Sequence, residues 1–134
     1  MQEIFMAGSE TRSSTTEWAL TEFLRNPYSM IKAKAELMQV VGANQKVEES
    51  DIDNLPYLQA IMKETLRLRP PIPFLVPRKA IRDTNFMGFD IPKNTQVLVN
   101  AWAIGRDPDV WDDPFVFQAR EVCRHKNRLQ GSTL

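Results

Sequence analysis

LPYLQAIMKETLRLRPPIPFLVPRKA, residues 55–80, divides this chain into two kinds of sequence. Its first half has helical spacing: Leu55, Leu58, Ile61, Met62, Thr65 and Leu66 recur three and four apart and predict one broad apolar face. Pro56 falls in the first turn, where a missing amide hydrogen costs nothing. Pro70 and Pro71 stop the helix, because neither can donate to the ladder. A helix over residues 55–68 is therefore expected. Glu64 and Arg67 lie three apart on it and can pair across one turn. On spacing alone such a pair is a solvated surface contact worth well under about 1 kcal/mol. The flanking sequence is strongly apolar, however, and a buried pair needs further hydrogen bonds to offset desolvation. Arginine presents five donors in a fixed fork, so a third partner from elsewhere in the chain is expected.

Upstream the chain reads as helix. Ile4, Phe5, Ala7, Gly8 and Thr11 share one face by the i, i+3, i+4, i+7 rule, and Trp18, Leu20, Phe23 and Leu24 continue as an apolar tail. No capping residue precedes them beyond Met1 and Gln2, so residues 1–25 read as a helix already under way. Gly8 inside it costs about 1 kcal/mol relative to alanine. With Ala7 it lets something flat approach the backbone, or lets another helix pack closely. Thr11 can hydrogen-bond the carbonyl one turn back and open the helix locally. Asn26 and Pro27 form a stop and restart, N-cap then first helical residue. Met30, Ile31, Leu37, Met38 and Val41 carry the second helix to Gly42, which suits a left-handed C-cap. Residues 43–54 are polar and predict a loop with a turn of helix near 50–53.

Downstream the sequence turns to β. Phe74, Leu75 and Val76 form a short apolar run between prolines. Residues 83–86, a turn at Met87-Gly88 and residues 89–91 predict a hairpin, and residues 95–99 a β-branched strand. Residues 101–105 suit one helical turn, and Arg106-Asp107-Pro108-Asp109 is turn chemistry. The fold class is mainly α with a small β region: three helices, a hairpin and short strands.

The balance of 17 basic and 17 acidic residues gives zero net charge, and 43% of residues are hydrophobic. Nothing in that balance asks for nucleic acid or an anionic surface as partner. No apolar run is long enough to span a bilayer. A lone cysteine, Cys123, excludes an internal disulfide, and with His125 it makes no metal site. The last stretch, residues 119–134, is basic and aperiodic and is expected to be a disordered tail, leaving residues 1–118 as the structured part.

Two signals occur in a telling order: A-G-x-E-T at Ala7–Thr11 and E-x-x-R at Glu64–Arg67, then the Pro-rich and Arg-Asp-Pro segments. In this the chain resembles the cytochrome P450 superfamily, over roughly residues 1–118 without a gap. It is most like plant microsomal enzymes of the geraniol-hydroxylase-like group. The resemblance implies a partial P450 fold, from the central oxygen-activation helix to just short of the haem-thiolate loop. It implies haem as cofactor, a small apolar substrate, NADPH-cytochrome P450 reductase as electron donor, and the cytosolic face of the endoplasmic reticulum as location. By the same resemblance Glu10 and Thr11 would be catalytic, helping to deliver protons at the oxygen-activating position. Ala7 and Gly8 would lie against the haem face and Arg78 would pair with a propionate. Phe5, Ser9, Ile72, Phe74, Leu75 and Val76 would line an apolar substrate cavity. Glu64 and Arg67 would be a structural pair behind the haem.

The sequence departs from that pattern in three places. Arg12 stands where a second small hydroxyl residue is common, and Arg69 where plant members usually have histidine. After Gln118 the family continues Pro-Glu-Arg-Phe, whose arginine completes the Glu64–Arg67 pair, whereas this chain reads Ala119-Arg120-Glu121-Val122. The Phe-x-x-Gly-x-Arg-x-Cys-x-Gly loop expected about two dozen residues on is missing, and the neighbours of Cys123 do not resemble it. The expectation is therefore a piece of a haem monooxygenase that does not hold haem stably and is inactive alone. The alternative is a non-catalytic truncated isoform that binds a full-length P450 or its reductase.

Overall fold

A computed structural model describes residues 2–43 and 45–119. These fall into two compact units, one built from residues up to Pro71 together with those from Phe115 onward, the other from Ile72–Pro114.

The first unit is helical. It contains α1 (Gln2–Arg25), α2 (Pro27–Val40), a 3-10 turn (Glu49–Asn54) and α3 (Pro56–Leu68). The stop at Asn26-Pro27 falls where expected, but Asn26 does not cap with its side chain. Its Nδ2 donates backward to the Glu22 carbonyl at 3.0 Å. Gly42 ends the second helix at φ +89°, the left-handed setting glycine adopts without a Cβ penalty.

The core of this unit is small. Ala33, Tyr57, Ala60, Ile61 and Ala119 are buried together, with Phe23 and Phe117 packed against them. The buried face of α3 overlaps the predicted one only in part: Ile61 and Thr65 are buried as expected, as is Leu55 just before the helix. Tyr57, Ala60, Ile61, Glu64, Thr65 and Leu68 are buried, whereas Met62 and Leu66 are exposed. Small side chains at Ala33 and Ala60 sit in that core beside Tyr57, and turning Glu64 inward carries the 62/66 stripe outward. The period of α3 is the expected one, and its buried stripe is shifted partway around the helix toward Tyr57, Ala60, Glu64 and Leu68.

The second unit carries the β structure. Strands β1 (Arg78–Lys79) and β4 (Gln96–Val97) pair antiparallel, as do β2 (Thr84–Phe86) and β3 (Phe89–Ile91). The predicted hairpin forms with its turn at Met87 (φ +53°) and Gly88 (φ +86°), positive at both central positions as a type I′ turn requires. The predicted strand over 95–99 shortens to two residues. The Phe74–Val76 run is not extended: Leu75 has φ +51° and its N–H donates to the Ile72 carbonyl at 3.1 Å, making a turn. One helical turn, α4 (Ala101–Ile104), follows, with the Asn100 side chain capping the Ala103 N–H.

Candidate functional site

In the first unit α1 is exposed over residues 5–10. Phe5 is 78% exposed, and a Cβ placed on Gly8 would meet no atom within 4 Å. Phe5, Gly8, Ser9, Arg12 and Ser13 line one shallow groove along this face, the i, i+3, i+4, i+7 set counted from Phe5 with Ser13 beside it. The structure thus lines one groove with Phe5 and Ser9, expected to face a substrate, and Gly8, expected to face the haem, and adds Arg12 and Ser13, which were not among the expected site residues. Helical periodicity alone was the signal that could have found them.

Hydroxyls along α1 turn back on their own helix. Ser9 Oγ donates to the Phe5 carbonyl and Thr11 Oγ1 to the Ala7 carbonyl, both at 2.8 Å. Thr15, Thr16 and Thr21 repeat the pattern. The Thr11 bond is the one expected, but it does not open the helix, which runs unbroken from Gln2 to Arg25. The hydroxyl bond is made to a carbonyl whose second lone pair is free, so the ladder need not break. Glu10 is exposed on the neighbouring flank of the same turn.

Glu64 and Arg67 form a buried clamp. Arg67 Nε donates to Glu64 Oε2 and Nη2 to Oε1, each at 2.7 Å, the bidentate fork that makes such pairs short and directional. The two side chains are 7% and 0% exposed, so the surface-pair reading does not hold. The third partner is a stretch of backbone. Arg67 Nη2 donates to the Val116 carbonyl at 3.0 Å, and the Gln118 N–H donates to Glu64 Oε1 at 2.8 Å. Nearby, the Arg69 guanidinium stacks on the Trp18 ring at 4.4 Å, and its buried Nε has no hydrogen-bond partner.

In the second unit Ile72, Phe74, Leu75 and Val76 are exposed to between 41% and 69%. Their loop is tied to α4 by the Trp102 N–H on the Pro73 carbonyl at 3.1 Å. Arg78 opens β1 opposite Val97 and is exposed. No carboxylate of the described residues pairs with it.

Among the described residues no three His, Cys, Asp or Glu side chains gather to hold a metal, and no helix is long and apolar enough to cross a membrane. Cys123 and His125, and all of 120–134, lie outside the described residues.

A family model described as Cytochrome P450 matches residues 1–121. Cytochrome P450 76A1 of Solanum melongena is 62% identical over 129 residues, which cover 96% of this chain and 28% of that protein. Iridoid oxidase of Catharanthus roseus is 58% identical, with 98% and 25% covered, and geraniol 8-hydroxylase of the same plant is 50% identical, with 96% and 26% covered. Among solved structures, a zebra fish cytochrome P450 with progesterone superposes at a TM-score of 0.85 with 41% identity, over 90% of this chain and 28% of that one. The chain thus spans about a quarter of the length of each relative.

Proposed function

The chain belongs to the cytochrome P450 family, and on that premise we propose that it forms the oxygen-activation helix, the Glu–Arg clamp and a substrate-facing loop of a haem monooxygenase acting on a small apolar substrate. The observation that carries this reading is the open surface at Gly8 one turn before Thr11, whose hydroxyl is seated on the Ala7 carbonyl. A flat group fits there because no side chain fills the space. Arg78, with no described acid beside it, suits a propionate. Haem, when bound, supplies the oxygen and electron chemistry.

The remaining roles belong to this chain. The Thr11 hydroxyl donates to Ala7 and keeps its own lone pairs free to accept a hydrogen bond, so it can hold a proton-bearing water at Oγ1. Glu10, exposed to water, is the group that resupplies it. Within the first unit Phe5 and Ser9 are the substrate-facing residues of this reading; within the second, taken by itself, Ile72, Phe74, Leu75 and Val76 offer exposed apolar surface of the kind that binds such a substrate. Leu75 at φ +51° is a bulky residue in a sparsely populated conformation, the kind of strain that gathers at ligand-holding loops. Two relatives are named for geraniol and for an iridoid, which supports a terpenoid-sized substrate. The same reading takes NADPH-cytochrome P450 reductase as electron donor at the cytosolic face of the endoplasmic reticulum.

No Phe-x-x-Gly-x-Arg-x-Cys-x-Gly run occurs in these 134 residues. The iron ligand is therefore not what they supply, and alone they are expected to give no carbon monoxide difference peak at the position that names the family. Residues 1–118 placed into the matching part of Cytochrome P450 76A1 test the reading. The chimera should give that peak, and Thr11→Val should keep it while lowering product formed per NADPH consumed. A chimera without the peak, or Thr11→Val with unchanged product per NADPH, refutes it. A second reading draws on the exposed Leu24, Tyr28 and Ile31, apolar surface suited to association with a full-length relative or the reductase. A pull-down from plant microsomes that recovers neither partner counts against it.

A further inference from the structure

Helix α3 begins without a cap of its own. Leu55 stands at the N-cap position with no side-chain hydrogen bond, and the first turn contains no acid. The leading N–H groups of a helix have no partner within it. Here the partner comes from another helix. Glu36, on α2, accepts from the Tyr57 N–H through Oε1 at 2.8 Å and from the Leu58 N–H through Oε2 at 2.9 Å. One turn earlier on α2, the Lys32 Nζ lies 4.1 Å from the centre of the Tyr57 ring, and Tyr57 is buried. Two side chains of α2, four residues apart, therefore hold the first turn of α3 by its amides and by its ring. Two turns on, the same helix carries Glu64, whose Oε1 receives the Gln118 N–H.

We propose that Glu36 is a positioning residue for the Glu64–Arg67 clamp: by gripping the first turn of α3 it sets the helix along and about its axis, and so places the Glu64 carboxylate under the Gln118 N–H. A helix advances about 1.5 Å per residue, while a hydrogen bond is lost when its atoms part by about half an ångström beyond their normal range. A slip of α3 by a fraction of one residue is enough to break the Glu64–Gln118 bond. The proposal concerns geometry within the first unit and does not depend on the haem reading.

Amide hydrogen exchange of the 134-residue chain, followed residue by residue by NMR, tests it. Glu36→Ala removes both acceptors, and Glu36→Gln keeps the shape and one acceptor oxygen. In Glu36→Ala, exchange at Tyr57 and Leu58 is expected to rise about tenfold, the scale of a lost cap. Exchange at Gln118 should rise with it by at least about threefold relative to the Thr15–Ala19 amides of α1. Glu36→Gln should fall between wild type and Glu36→Ala at all three positions, and it provides the same comparison should Glu36→Ala not fold. Acceleration at Tyr57 and Leu58 with Gln118 unchanged would make Glu36 a local cap and overturn the proposal. Equal acceleration of every amide would overturn it too, because the effect would then be global stability.

Discussion

Arg67→Ala is the most informative single change, because the structure fixes what it leaves behind. Glu64 is 0% exposed and loses both 2.7 Å bonds from the guanidinium. The Gln118 N–H is then its remaining partner from the Val116–Gln118 segment, since the Val116 carbonyl was held by Arg67 itself. A buried charge stripped of its counter-ion costs about 3–5 kcal/mol, against a total of about 5–15 kcal/mol for a typical domain. A solvated pair costs at most about 1 kcal/mol. Arg67→Lys keeps the charge but offers one point contact where the fork made two, so it should lose about 1.5–3 kcal/mol. Glu64→Leu combined with Arg67→Leu should be more stable than either single alanine variant, because no lone charge stays buried. Urea unfolding followed by far-ultraviolet circular dichroism and by tryptophan emission measures all of these. A loss below about 1 kcal/mol for Arg67→Ala, or a double variant less stable than Arg67→Ala, would refute the buried-clamp account.

The packing makes three further outcomes measurable. Ile61→Ala, at a fully buried position in the small core of the first unit, should cost about 2–5 kcal/mol in the same urea experiment. Gly88→Ala places a Cβ at φ +86° and should loosen the β2–β3 hairpin by about 1 kcal/mol or more, seen as weaker cross-strand nuclear Overhauser contacts between Phe86 and Phe89 with the helical unit unchanged. Arg69→Ala removes the cation from the Trp18 ring and should cost about 0.5–1 kcal/mol, with a red shift in the Trp18 component of emission, read in a variant whose other tryptophans are replaced.

Periodicity and punctuation made most of the architecture readable. Asn26-Pro27, Gly42 and Pro70-Pro71 mark real boundaries, because each imposes a backbone setting or removes a donor regardless of what surrounds it. The Met87-Gly88 turn was legible for the same reason. What the sequence did not reveal depends on tertiary partners. The rotation of α3 about its axis is decided by inward-facing Glu64, a charged residue that hydropathy assigns to the surface. Asn26 has the chemistry of a cap, yet Glu22 claims its side chain. The Phe74–Val76 run looks extended by composition and is a turn, because prolines on either side and the Ile72 carbonyl bend it. At the candidate site, Gly8 and Thr11 were visible as an oddity within a helix. Arg12 stood out only as a departure from the family pattern, and nothing in the sequence singled out Glu36. A carboxylate that caps a helix 21 residues away leaves no local trace.

The far side of the Glu64–Arg67 fork is fastened to peptide groups and not to side chains. The Val116 oxygen and the Gln118 hydrogen would be present with almost any amino acids at those two places. Drift in side-chain identity there is therefore silent to the fastening, and proline at 118 is the sole replacement that deletes the hydrogen itself. What Glu64 monitors, 54 residues away along the chain, is the path of the polypeptide. Two stretches of sequence can thus diverge independently and remain stitched together, which frees the 116–118 segment to change its outer chemistry without loosening its seat.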